Sequence, residues 1–149
     1  MKTIREVMRH SFLLRVPRHA PVLHAVRAMS HHNVGIVAVV DGPVLVGVFS
    51  ERDVVRRVVG HGLDPETTHV GDVMTTDVIC ASADDDVQTA MRRMDEANIR
   101  HLPIVADGHI VSMLSIRDLM RTEIVDAETE LAHLRAYLWQ VPTTVRDAH

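Results

Sequence analysis

The chain has 149 residues, 46% of them hydrophobic but only 3% aromatic, with 16 basic and 20 acidic side chains giving a formal net charge of −4. The acidic balance, the lack of a basic run and the shortage of rings for bases to stack on exclude nucleic acid as an expected partner, and apolar runs such as residues 34–40 fall far short of the ~20 residues of a membrane span. Cys80 is the single cysteine, so no internal disulfide or CxxC site is possible, and the expectation is a soluble cytoplasmic protein without a signal peptide, held together by packing.

The opening, around Glu6-Val7-Met8, leads to an apolar segment over residues 12–16. A helix follows, with Val22, Ala25, Val26 and Met29 spaced to form one buried stripe. Two apolar strands, 36–40 and 44–49, are split by Asp41-Gly42-Pro43 and form a candidate hairpin. A second helix starts at Ser50-Glu51-Arg52-Asp53 and carries Val54, Val55, Val58 and Val59. Residues 60–68 have the composition of a surface linker.

The same series then recurs. Asp72-Val73-Met74 echoes the opening, 78–81 is apolar, and Val87, Ala90, Met91 and Met94 mark a helix. Strands 102–105 and 110–114 flank Asp107-Gly108, and Ser115-Ile116-Arg117-Asp118 opens a helix with Leu119, Met120 and Ile124. At an offset of 65, residues 22–53 match 87–118 at ten of 32 positions, from Val22/Val87 to Asp53/Asp118. The fold is therefore α/β (α+β), a β-α-β-β-α unit made twice. Residues 1–60 and 70–124 are the units, 61–69 the linker and 125–149 a helical extension and tail. Residues 123–139 extend the last helix with Ile124, Leu131, Leu134 and Leu138 on one side, facing either the domain's own core or a partner.

Ser-x-x-Asp at a helix start has a purely structural explanation, a capping box. Capping does not require the Arg kept in both copies, Arg52 and Arg117, or the apolar strand before each motif. A strand ending where a helix begins gathers amides, a hydroxyl, a guanidinium and a carboxylate, the parts needed to hold a phosphorylated ribose. Other signals weigh less. Adjacent His31 and His32 point about 100° apart on a helix, and no His, Cys or carboxylate set has ligand spacing, so no metal is expected. Asp84-Asp85-Asp86 reads as helix-capping carboxylate, and Met91, Met94, Met113 and Met120 as core filler. Cys80 falls in a predicted buried strand, where a thiol is inert. No nucleophile has a base and an orienting group, so a binding protein without a catalytic cofactor is expected rather than an enzyme.

The paired motifs, the Asp/Glu-Val-Met openings and Ile99-Arg100-His101-Leu102-Pro103-Ile104-Val105 together resemble the CBS domain pair, or Bateman module, over roughly residues 1–124. The resemblance implies two repeats about a pseudo-twofold axis, with clefts between their sheets for an adenosine ligand: AMP, ADP, ATP, S-adenosylmethionine or NAD. It places the ribose carboxylates at Asp53 and Asp118 and their hydroxyls at Ser50 and Ser115, while the Arg of each motif, Arg52 and Arg117, adds charge for the phosphate. The Asp53 cleft would receive Asp77, Val78 and Ile79 around adenine, and Ile99, Arg100 and His101 nearer the phosphates. The Asp118 cleft would receive Phe12, Leu13, Leu14, Val34, Gly35 and Ile36. Because Gly35-Ile36 stands where the second copy has Arg100-His101, the Asp118 cleft is expected to lack Arg and His, and phosphate to be held more firmly beside Asp53. The implied function is a nucleotide sensor that changes repeat or dimer geometry, with a homodimer and an unidentified protein target as partners. A structural or adaptor dimer without ligand and a small nucleotide-processing enzyme are the alternatives.

Overall fold

Each repeat is organised by a hairpin. In the computed structural model, which describes residues 2–8 and 12–139, β1 (Arg15–Pro17) pairs in parallel with β2 (Ile36–Asp41), and β2 pairs antiparallel with β3 (Val44–Ser50). The second sheet repeats that order with β4 (Ala81–Ser82), β5 (His101–Ala106) and β6 (His109–Ser115). The hairpins expected from the sequence therefore pair directly. β1 and β4 are shorter and later than the apolar segments 12–16 and 78–81, whose first residues run beside the clefts described below. Cys80 accordingly lies outside a strand and is half-buried, which corrects its expected place, and burial still pushes its thiol pKa up.

Several matched positions have a backbone reason. Helix α2 (Val22–His32) and its counterpart, Val87–Ala97, end at Asn33 and Asn98, which adopt φ of 53° and 54°; Asn tolerates this left-handed cap better than most residues. Val46 and Val111 each occupy the register shift of their hairpin, after Gly47 and Ser112 have paired with Val39 and Ile104. The β5–β6 turn uses Asp107 and Gly108 at φ of 52° and 78°, the pair of positive angles that a tight two-residue hairpin requires.

The remaining helices are α1 (Ile4–Val7), α3 (Glu51–Asp53), α4 (Val70–Val73), α5 (Val87–Ala97, the counterpart of α2) and α6 (Ile116–Trp139). α3 continues as a π-helical turn, Val54–Val58, and a 3-10 turn, Val59–His61. The wide turn breaks the expected stripe: Val58 is buried, but Val55 and Val59 are exposed.

Val16, Val22, Met29, Val37, Val39 and Phe49 build the first core, and Val87, Met94, Leu102, Ile104, Leu114 and Leu119 the second. Ala38, Ile110 and Met113 join the sheets between them. The opening helices are exchanged. Ile4 of α1 is fully buried in the second core, with Ile4 N–H donating to the Asp85 carbonyl at 2.9 Å and Val87 N–H to the Lys2 carbonyl at 3.0 Å. Conversely, Val70, Val73 and Met74 complete the first core, where Val70 N–H donates to the Ala20 carbonyl at 2.9 Å and Val22 N–H to the Thr68 carbonyl at 2.9 Å.

α6 leaves the core after Leu119. Met120, Ile124, Leu131, Leu134 and Leu138 are all exposed, so this helix does not cover the domain's own core and Met120 is not core filler. Residues 140–149 of the expected tail lie outside the described residues. Among the described residues, no helix is long and apolar enough to cross a membrane.

Candidate functional site

Both Ser-x-x-Asp motifs form capping boxes, as elementary helix chemistry requires. Ser50 N–H donates to Asp53 Oδ2 at 3.0 Å and Asp53 N–H to Ser50 Oγ at 3.3 Å. Ser115 N–H donates to Asp118 Oδ2 at 3.1 Å and Asp118 N–H to Ser115 Oγ at 3.1 Å. Beyond the cap the two carboxylates differ.

Asp53 is 7% exposed and saturated with partners. Thr75 Oγ1 donates to it at 3.1 Å, Ser50 Oγ lies 3.3 Å from Oδ2, and Arg57 Nε sits 3.6 Å from Oδ1. Thr75 reaches Asp53 because Gly47 has no side chain: a Cβ there would stand 2.6 Å from Met74 Sδ and 2.7 Å from the Thr75 carbonyl. The close approach lets Val48 and Thr75 exchange backbone hydrogen bonds at 3.0 and 2.8 Å. Arg57 adds a bond of 2.7 Å to the Met74 carbonyl, tying the helix to the same segment.

Asp118 has none of this. Among the described residues its carboxylate takes only the cap bond from Ser115, and it is partly exposed. The counterpart of Arg57 is Thr122, whose hydroxyl donates to the Asp118 carbonyl at 3.2 Å and brings no cation.

Each carboxylate borders a cleft between the repeats. The Asp53 cleft, ≈ 430 Å³, brings together Ser50, Arg52, Asp53, Asp77, Val78, Ile79, Ile99, Arg100 and His101, every residue expected of it. The Asp118 cleft is larger, ≈ 1110 Å³, and collects Phe12, Leu14, Val34, Gly35, Ile36, Ser115, Arg117 and Asp118. Leu13 is the exception: it packs between the sheets with Ala38, Ile110 and Met113 instead. Phe12 is half-exposed at the larger cleft, its ring 5.1 Å from that of His32.

The expected lack of Arg and His at the Asp118 cleft is corrected by the fold. Arg100, just before β5, and His101, its first residue, line both clefts. Arg121, one helical turn after Arg117, adds a further guanidinium to the larger one. Sequence reasoning missed Arg121, although its i, i+4 spacing from Arg117 was a usable signal. It also missed Glu51, which lines both clefts, and Thr75, whose role no local pattern announces. Burial lowers the His101 pKa below its ordinary 6.5; Asp118 and Glu51 pull it back up, and Arg100 pushes it further down.

The competing features have structural roles. Asp86 caps α5 through Gln88 and Thr89 N–H at 3.0 and 3.2 Å, Asp84 pairs with Arg5 at 3.1 Å, and Asp85 with Arg93 at 3.2 Å. Among the described residues, no group of three or more His, Cys, Asp or Glu is placed to hold a metal ion.

This paired architecture has clear relatives. The CBS domain family matches residues 4–60 and 70–124, and the chain belongs to that family. It is 35% identical over 122 residues to the CBS domain-containing protein CBSX3, mitochondrial, of Arabidopsis thaliana, covering 78% of this chain but only 59% of that relative. Among solved structures, a protein with CBS domains from Burkholderia ambifaria MC40-6 superposes with a TM-score of 0.78 at 28% identity, covering 84% of this chain and 96% of that one. The CBS domain protein PAE2072 from Pyrobaculum aerophilum, complexed with AMP, gives 0.74 at 26% identity, covering 86% and 99%.

Proposed function

We propose that this protein is a regulatory module, not an enzyme, that binds an adenosine nucleotide (AMP, ADP, ATP or NAD) chiefly in the Asp118 cleft and acts in the cytoplasm on a protein target. The charge lining the two clefts carries this reading. The Asp118 cleft sets Arg100, Arg117 and Arg121 against Glu51 and Asp118, whereas the Asp53 cleft sets Arg52 and Arg100 against Glu51, Asp53 and Asp77. Because Arg57 is already paired with Asp53, Arg52 and Arg100 only balance Glu51 and Asp77 in the second cleft, so a phosphate meets net attraction in the first and none in the second. The Asp118 carboxylate also keeps acceptor capacity for ribose hydroxyls, while that of Asp53 is already filled. The AMP complex of PAE2072 supports the ligand class. This reverses the preference expected from sequence, in which phosphate was to be held beside Asp53.

Two assays test the reading together: mass spectrometry of ligands retained through purification, and calorimetry with AMP, ATP and NAD. Saturable binding without turnover is the expected result. Turnover of the nucleotide would point to an enzyme, and absence of binding to a structural adaptor.

The same reading includes a homodimer. Met120, Ile124, Ala127, Leu131, Leu134 and Leu138 recur along α6 at alternating steps of four and three, the spacing of a two-stranded coiled-coil seam. Nucleotide-dependent change in repeat geometry would reach the target through this pairing. Light scattering of a Leu131→Asp/Leu134→Asp variant should give a monomer where the unmodified chain gives a dimer.

A further inference from the structure

Arg100, His101 and Glu51 line both clefts, standing on the ridge between them. One guanidinium is therefore available to two sites but can neutralise a phosphate in only one at a time. If Arg100 turns to a phosphate in the Asp118 cleft, the Asp53 cleft, where Arg57 is already paired with Asp53, keeps Arg52 alone against Glu51 and Asp77. A second anion would then enter a net negative surface and lose hydration without a compensating cation. The bonds of Asp53 to Thr75 and Arg57 add an independent obstacle, because a ribose would have to displace them.

We infer that the two clefts exclude one another for phosphorylated nucleosides: each chain holds one, in the Asp118 cleft, and its capture of Arg100 shuts out a second beside Asp53. The inference rests on the nucleotide reading above and adds to it a stoichiometry and a direction of coupling. By linkage the exclusion is reciprocal, so a phosphate forced into the Asp53 cleft must weaken binding at Asp118 by the same factor. A pair of clefts that look like two receptors thus acts as one.

Calorimetry with AMP on the full chain tests this, comparing the unmodified protein with Asp118→Asn and with the double variant Arg117→Gln/Arg121→Gln. The double variant alters exposed helix positions and guards against a folding defect at Asp118. The unmodified chain should bind one AMP per chain. Both variants should reveal a residual site, at least about tenfold weaker, that is lost when Arg52→Gln is added. Two AMP per chain in the unmodified protein, at concentrations that fill the residual site of the variants, would overturn the exclusion while leaving the nucleotide reading intact. Variants that bind no AMP at all would also overturn it, since the Asp53 cleft would then have nothing to exclude. Failure of the unmodified chain to bind AMP, ATP or NAD would instead sink the nucleotide reading itself.

Discussion

The Asp53 and Asp118 clefts start from the same three residues, Ser, Arg and Asp, and end as different environments. In the first, the helix after the motif widens into a π turn, Arg57 pairs with Asp53 at i, i+4 spacing, and Gly47 admits Thr75. In the second, α6 stays α-helical, Thr122 replaces Arg57, and Arg121 faces the cleft. A duplicated motif therefore does not imply duplicated chemistry. The cap is set locally by the four residues that make it, whereas the carboxylate's availability is set by segments far away in sequence.

The largest effects should be equal in the two halves: Phe49→Ala and Leu114→Ala truncate fully buried side chains at equivalent positions, and each should cost about 2–5 kcal/mol in urea unfolding. A cost confined to one half would show that the cores are not equivalent. Nucleotide binding should then separate the halves. Asp118→Ala should lose at least about tenfold in affinity, about 1.4 kcal/mol, and Asp53→Ala less than about threefold; equal losses would refute the inequality. Stability should rank the same pair in the opposite order. Asp53→Ala removes a cap and leaves Thr75 and Arg57 without their acceptor, at about 2–3 kcal/mol, against about 1 kcal/mol for the cap at Asp118.

The smallest effect is a pH dependence at the ridge. Because burial holds the His101 pKa below its ordinary 6.5, the unfolded chain takes up this proton first as pH falls. The associated stability is fully present above 6.5 and declines from there toward the depressed value. His101→Gln should flatten that part of the stability profile between pH 7.5 and 5.5. A profile unchanged by the substitution would show that burial of this imidazole has no energetic consequence.

Much of this architecture was legible because repetition reports on backbone geometry. Asn33/Asn98 and Val46/Val111 matched across the offset, and they serve a left-handed helix end and a strand bulge that both halves need. The residues of the smaller cleft were readable only through the family resemblance, which assigned Asp77 to Ile79 and Ile99 to His101 to it, and all six line it. The charge balance was not. Arg100 could be assigned from sequence to the Asp53 cleft, but that it lines both follows from the meeting of two sheets about one axis. Thr75 gave no signal because its partner is 22 positions away and depends on a missing side chain at Gly47. Leu13 differs from its expected place: its neighbours Phe12 and Leu14 line the cleft while it packs against the inter-sheet core.

The exchange of opening helices has a consequence for synthesis. Ile4 has no resting place until the strands around Leu102 and Leu114 and the helix residue Leu119 have emerged from the ribosome. The first core is likewise open until Val70, Val73 and Met74 arrive. The first half therefore cannot finish folding as it is made, and Ile4 waits unsheltered until most of the second half has followed. A break in the linker at residues 61–66 would likewise leave two fragments, each holding the missing piece of the other, so that the halves should recover structure on mixing rather than alone.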